Sequence, residues 1–263
     1  MYDFTYVKAG SVADAVKMLG EDPEAKALAG GHTFIPVLKQ RLNKPSKVID
    51  LSGLDLVGVR QEGNVVTIGA MTTHRMIMAS PEVQKGIPGL AKMAGWIGDT
   101  QVRHRGTMGG SLANNDPSAC YPAAVLALGA TVQTDRRSIE ADDFFQGMFT
   151  TALEPGELIT SISFQVPERS NYEKFRNPAS RYAMVGVFVA KGLMGVRVAI
   201  TGAGQGGVFR QRAMEAALER DFSAEAIKGI VTPPDDLNGD IHGSAEYRAH
   251  LIGVMAGRAV AGA

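Results

Sequence analysis

A polar, glycine-rich stretch set between two apolar ones constrains this chain more than any other feature. From Ile97 to Ala124 it reads I-G-D-T-Q-V-R-H-R-G-T-M-G-G-S-L-A-N-N-D-P-S-A-C-Y-P-A-A. Arg103, His104 and Arg105 come first, and Gly106, Gly109 and Gly110 follow with Thr107 and Ser111 among them. Before the stretch, Leu90, Met93, Ala94 and Ile97 fall at helical spacing; after it, Ala123 to Leu128 is an apolar run. Glycines let a backbone come close to a ligand, and free N–H groups can face an anion. A surface loop joining two helices is the plainer reading. The density of polar residues between apolar segments favours a ligand loop.

Composition narrows the function classes. Lys+Arg and Asp+Glu both number 27, so the formal net charge is zero, which argues against a nucleic-acid partner or a membrane surface. No apolar run reaches the length of a transmembrane segment. The start, M-Y-D-F-T-Y-V-K, lacks the basic-then-apolar order of a signal peptide, so a cytoplasmic location is expected. Cys120 is the only cysteine, which excludes an internal disulfide and a cysteine-ligated iron–sulfur cluster on this chain.

Along the chain, Ser11 caps a helix over 11–19, with Asp14 at the capping-box position. A short strand, Lys26 to Ala29, stops at Gly30-Gly31, and a helix is expected from Thr33 to Arg41. This strand–Gly-Gly–helix unit could place a phosphate on unpaired N–H groups, although a plain turn explains it equally well. Strands are expected at 47–51, 65–70, 131–134 and 158–166, and helices after Met71, from Pro88 to Gly98 and at Asp142. Residues 168–178 are polar and read as a domain boundary. Beyond them come a strand pair, 185–191 and 196–201, with Gly192 and Gly195 in the turn, then helices at 208–219, 223–230 and 244–260.

Other motifs carry less. Gly202, Gly204 and Gly207 spell G-x-G-x-x-G, with Asp221 nineteen residues past Gly202. A dinucleotide fingerprint needs that acid at the end of a second parallel strand, and here the intervening residues read as one helix. The five histidines are scattered, and no metal-ligand or nucleophile signature occurs. Two glycine loops remain, at 29–33 and 106–111. Two loops converging from different subdomains suit a diphosphate.

The motifs Ala29-Gly30-Gly31-His32-Thr33 and Gln101 to Asn114, with the D-P-S-A-C-Y-P-A-A continuation and the segments F-F-Q-G-M-F-T-T-A-L-E-P-G-E-L-I and Y-E-K-F-R, resemble the FAD-binding (medium) subunit of molybdenum hydroxylases, the carbon monoxide dehydrogenase and xanthine dehydrogenase family. The resemblance spans essentially the whole chain. It implies an α+β FAD-binding fold of the vanillyl-alcohol-oxidase type: two subdomains (1–60 and 61–167) clasping FAD, then a C-terminal α+β domain (168–263) with a small antiparallel sheet. It also implies electron transfer, with substrate oxidation on a large molybdenum-cofactor partner and two [2Fe–2S] clusters on a small one, assembled as a dimer of heterotrimers. Electrons would leave to a quinone or NAD⁺. Alternatives are a self-contained flavin oxidase and a scaffold that has lost FAD.

Residue by residue, the resemblance assigns the pyrophosphate to Ala29, Gly30, Gly31, His32 and Thr33 and to Thr107, Met108, Gly109, Gly110 and Ser111. Ile159 matches an apolar position near the cofactor, and Lys174 a lysine near the flavin. Two residues depart from the family pattern. Cys120 stands where relatives carry an aspartate that bonds an adenosine ribose hydroxyl, and a thiol is a poor acceptor. His104 replaces the usual asparagine of V-R-N-R-G.

Overall fold

A computed structural model describes all residues, 1–263. The chain starts with β1 (Thr5–Lys8), α1 (Val12–Glu21), β2 (Lys26–Leu28), α2 (Phe34–Lys39) and β3 (Lys47–Asp50), and its three strands form a parallel sheet in the order β1-β3-β2. Ser11 caps α1 as its sequence predicts: the hydroxyl accepts from the N–H of Asp14 at 3.1 Å. Ala15, Ile49 and Leu51 form the small core beneath.

The middle of the chain supplies a larger antiparallel sheet. β4 (Val59–Glu62) and β5 (Val65–Gly69) are followed by α3 (His74–Ala79), α4 (Pro81–Gly86), α5 (Pro88–Gly95), α6 (Thr100–Arg105), α7 (Met108–Asn114) and α8 (Tyr121–Ala127). Then come β6 (Thr131–Thr134), β7 (Ser138–Glu140), α9 (Ala141–Phe144), the small hairpin β8 (Phe145–Gly147) and β9 (Thr150–Thr151), and β10 (Ile159–Gln165). The order β4-β5-β10-β6-β7 puts β10 at the centre. Its Ile162 and Phe164 join Met93, Leu112 and the wholly buried α8 in the largest core. The stretch read as a ligand loop is thus two short helices, α6 and α7, joined by Gly106 and Thr107. Gly109 and Gly110 lie inside the first turn of α7, where helix propensity alone would not place them.

Residues 168–178, read as a domain boundary, are mostly strand. They contain β11 (Arg169–Arg176), the edge of a four-stranded antiparallel sheet with β12 (Ala183–Gly192), β13 (Gly195–Thr201) and β14 (Phe209–Arg210). The polar residues of this segment have partners: the Asn171 amide donates to the Ala259 carbonyl, and the Ser170 hydroxyl accepts from the N–H of Gly89. α10 (Arg212–Arg220) and α11 (Ala245–Ala261) cover the sheet, while the expected 223–230 helix shrinks to a single 3₁₀ turn at Glu225–Ile227. The strand before the G-x-G-x-x-G segment is antiparallel and Asp221 merely ends α10, so the rejection of a dinucleotide fingerprint stands. No helix is long and apolar enough to cross a membrane.

Glu157, in the E-P-G-E-L-I segment, fixes the entry to β10. Its buried carboxylate accepts from Arg137 at 3.0 Å, from the Thr134 hydroxyl at 2.8 Å and from the N–H of Glu154 at 2.8 Å. The Arg137 hydrogen bond is the leading reason its pKa falls to about 2. Glu157→Gln keeps the shape but weakens charge-assisted bonds, and a loss of about 1–3 kcal/mol in urea unfolding at pH 7 is expected. Because the folded pKa is depressed, the wild-type advantage is complete above the unfolded value of 4.5 and fades as pH falls toward 2.

Candidate functional site

Two loops meet where β2 ends. A Cβ added to Gly30 would overlap the carbonyl oxygen of Arg105 and lie 2.9 Å from the Cα of Gly106. One added to Gly110 would lie 3.3 Å from the Cβ of Ala29. The two glycine motifs, 76 residues apart when counted from Gly30 to Gly106, are therefore in backbone contact. Gly30 serves that contact first. Gly31 adopts φ +78°, the left-handed region that favours glycine, and turns the chain into α2. A Cβ on Gly106 would meet His74 Nε2 at 2.5 Å, and one on Gly109 the Ala70 carbonyl at 2.8 Å.

The backbone donors of the two loops differ. From Ala29 to Thr33 no N–H group donates within the chain, although Ala29, Gly30 and Gly31 are half-buried. Orphan donors in succession are what an anion needs. In the second loop the N–H of Met108 donates to the Thr72 carbonyl, that of Gly109 to Ala70, that of Gly110 to the Thr107 hydroxyl and that of Ser111 to the Thr107 carbonyl. The first two hold α7 on the turn after β5, and the last two wind its first turn on Thr107. Thr107, as N-cap of α7, keeps its hydroxyl proton free, and the half-buried Ser111 hydroxyl makes no hydrogen bond within the chain. The first loop thus offers amides and the second offers hydroxyls. The His32 and Thr33 side chains are exposed at the rim.

Cys120 and Lys174 form a second group. Lys174, on β11, donates to the carbonyls of Trp96 at 2.7 Å and Arg181 at 3.1 Å and to Cys120 Sγ at 3.6 Å. Lys174 therefore has a defined place rather than that of a solvated surface lysine. Asp99, the N-cap of α6, lies between the groups: the N–H of Val102 holds its carboxyl below the usual range, and the charges of Arg181 and His32 add to this. Ile159 is buried at the start of β10, next to Thr160, whose carbonyl accepts from the N–H of Ala70 and so backs the Gly109 contact.

Two residues escaped sequence reading. His74 is buried against Gly106 with its ring 5.2 Å from that of Tyr121, and His74 Nδ1 and Tyr121 Oη are both buried without partners. The available signal was T-T-H directly after a strand, where Thr73 caps α3. Burial pushes the His74 pKa from 6.5 down to about 4, with the charges of His32 and Arg103 adding to the effect. Folded His74 stays neutral while the unfolded chain takes up a proton below 6.5. Stability should therefore decline by about 3 kcal/mol as pH falls from 6.5 to 4. Urea midpoints at pH 7 and 4.5 check this, and His74→Gln should flatten that dependence.

A family described as FAD binding domain in molybdopterin dehydrogenase matches residues 2–168. The chain belongs to that family. This FAD-binding family member is 36% identical to the carbon monoxide dehydrogenase medium chain of Afipia carboxidovorans, with 98% of this chain and 95% of the relative covered. It is likewise 36% identical to the nicotine 6-hydroxylase medium subunit of Paenarthrobacter nicotinovorans, over 94% of this chain and 92% of the relative. Among solved structures, a chain of the Cu,Mo-CO dehydrogenase superposes with a TM-score of 0.88 at 33% identity, covering 99% of this chain and 98% of the other. A chain of quinoline 2-oxidoreductase from Pseudomonas putida 86 gives 0.89 at 29% identity, covering 99% and 96%. The α+β fold is that of these flavoprotein chains, FAD is the cofactor, and the family member is an oxidoreductase subunit. The free amides of 29–33, and the unpartnered hydroxyl of Ser111, fit a diphosphate-bearing cofactor.

Proposed function

We propose that this chain is the FAD-carrying electron-transfer subunit of a heteromeric molybdenum hydroxylase. Its partners would be a large subunit with the molybdenum cofactor and a small subunit with two [2Fe–2S] clusters, in a dimer of heterotrimers in the cytoplasm. The single cysteine supports that division, since two clusters need many more thiolates than one. Bound FAD supplies the exchange between one-electron and two-electron transfer that joins such clusters to an acceptor such as a quinone or NAD⁺. The observation that supports the reading is the backbone contact between Gly30 and the Arg105–Gly106 turn, which brings the free amides of 29–33 near the hydroxyls of Thr107 and Ser111.

In this reading Ala29, Gly30, Gly31, His32 and Thr33 bind the pyrophosphate through amides. Thr107 and Ser111 do so through hydroxyls, while Met108, Gly109 and Gly110 hold the shape of the second wall. Ile159 packs under the cofactor, and Lys174 presents its ammonium toward the flavin. Cys120 takes the aspartate position and lacks that carboxylate. Cys120→Asp should tighten FAD binding by about tenfold or more, since a hydrogen bond to a charged group contributes about 1.5–3 kcal/mol. Equilibrium titration of apo-chain with FAD checks this; unchanged or weaker binding sinks the assignment of Cys120.

Affinity purification of the tagged chain from its native cells tests the assembly. Molybdenum and iron should co-elute with two further subunits. A chain that elutes alone, holds neither metal and oxidises a donor with its own FAD contradicts the proposal and supports a self-contained oxidase.

A further inference from the structure

Cys120 and Lys174 join parts of the chain that are 54 positions apart: the N-cap of α8 and the third sheet's edge strand. The thiol is buried, at 6% exposure, and makes no N-cap hydrogen bond. The Lys174 ammonium has two carbonyls and this sulfur as acceptors, and forms no ion pair with any carboxylate. Near the same thiol lies the hydroxyl of Tyr172, a fully buried side chain whose oxygen has no hydrogen-bond partner. A thiol that faces both an amine and an orphaned hydroxyl has chemistry that neither its packing nor any role in holding a cofactor uses.

We infer that Cys120 and Lys174 are a modification site, at which hydrogen peroxide closes a covalent sulfur–nitrogen bond between them. In the first step the thiol sulfur takes an oxygen from peroxide: the O–O bond breaks, an S–O bond forms, and one water leaves. Sulfur is oxidised by two electrons and peroxide is reduced. Tyr172 then has a partner, because its hydroxyl can donate to the new sulfenic oxygen. In the second step Lys174 Nζ, having given one proton to solvent, attacks the sulfur. The S–N bond forms, the S–O bond breaks, and a second water carries away the oxygen with a further proton from nitrogen. The sum is one thiol, one ammonium and one peroxide giving one sulfenamide, two waters and one proton. The 3.6 Å separation lets the bond close by side-chain rotation. The link ties α8 to β11, and with them the second sheet's helices to the third sheet.

The test is intact-mass and peptide-mass analysis of the purified full-length chain after graded treatment with hydrogen peroxide. The expected result is a loss of about 2 Da and a cross-linked peptide pair containing Cys120 and Lys174, both reversed by a thiol reductant. Lys174→Arg keeps the cation but removes the nucleophile, so it should lose the cross-link and gain about 16 Da or about 32 Da at Cys120 instead. Cys120→Ser should show neither. Oxygen addition at Cys120 in the wild type with Lys174 free, or no reaction at Cys120 at peroxide doses that oxidise exposed methionines, overturns the proposal. The reaction needs no bound FAD, so failure of the cofactor assignment leaves this outcome readable.

Discussion

Gly30→Ala is expected to weaken FAD binding about 100-fold or more, a cost of ~3 kcal/mol, while leaving the chain folded. The added methyl would occupy the space of the Arg105 carbonyl and lie 2.9 Å from Gly106 Cα. Backbone on both sides cannot give way as a flexible side chain would, so the two loops must separate. Separation parts the amides of 29–33 from the hydroxyls of Thr107 and Ser111. The first sheet, with its own core of Ala15, Ile49 and Leu51, does not depend on that contact. Circular dichroism and urea unfolding should stay near wild type while the FAD titration shifts. Gly20→Ala is the control: it sits in α1 with nothing near the added carbon.

Arg197→Ala should produce the largest loss of stability, about 3–5 kcal/mol in urea unfolding, because it strips one partner from a nearly buried charge network. Arg197 on β13 reaches back to the second sheet's helices. It donates to the Leu126 carbonyl at the end of α8 at 2.8 Å and pairs with Asp142 on α9. Asp142 also accepts from Arg210 at 3.3 Å, and Arg210 is paired with the buried Glu215 at 2.8 Å. Against a desolvation cost, the Arg197 and Arg210 bonds hold the Asp142 carboxyl below its usual range. The alanine variant takes a charged donor from the Leu126 carbonyl, which keeps only backbone N–H bonds, removes one cation from Asp142 and leaves a cavity under α8. Arg197→Lys should recover part of the loss, since an ammonium keeps the charge but cannot reach carbonyl and carboxylate together in the planar geometry of a guanidinium.

Much of the scaffold was legible from local rules. Ser11 and Asp14 announced α1, and Gly192 with Gly195 announced the β12–β13 hairpin; both are short-range signals that tertiary packing left intact. What failed shares one physical cause: polar or glycine-rich residues whose partners lie far away in sequence. Ser170 and Asn171 gave no strand signal because their bonds to Gly89 and Ala259 cannot be seen along the chain. Gly109 and Gly110 read as a loop because their helical turn is held from outside, by Ala70 and Thr72. The site was legible as two motifs through family resemblance, yet the reason for their glycines was not. They were read as room for a ligand, whereas Gly30, Gly106 and Gly109 make room for other parts of the same chain. His74 gave almost no signal, since a buried neutral histidine is defined by what covers it.

The proposed function requires a site for FAD between the loops at 29–33 and 106–111. Its most direct test is the flavin released by acid from the purified full-length chain after FAD loading and gel filtration. The prediction is one FAD per wild-type chain and almost none in Gly30→Ala of equal fold. Equal FAD in the two proteins, or a wild-type chain that emerges without flavin, would contradict it.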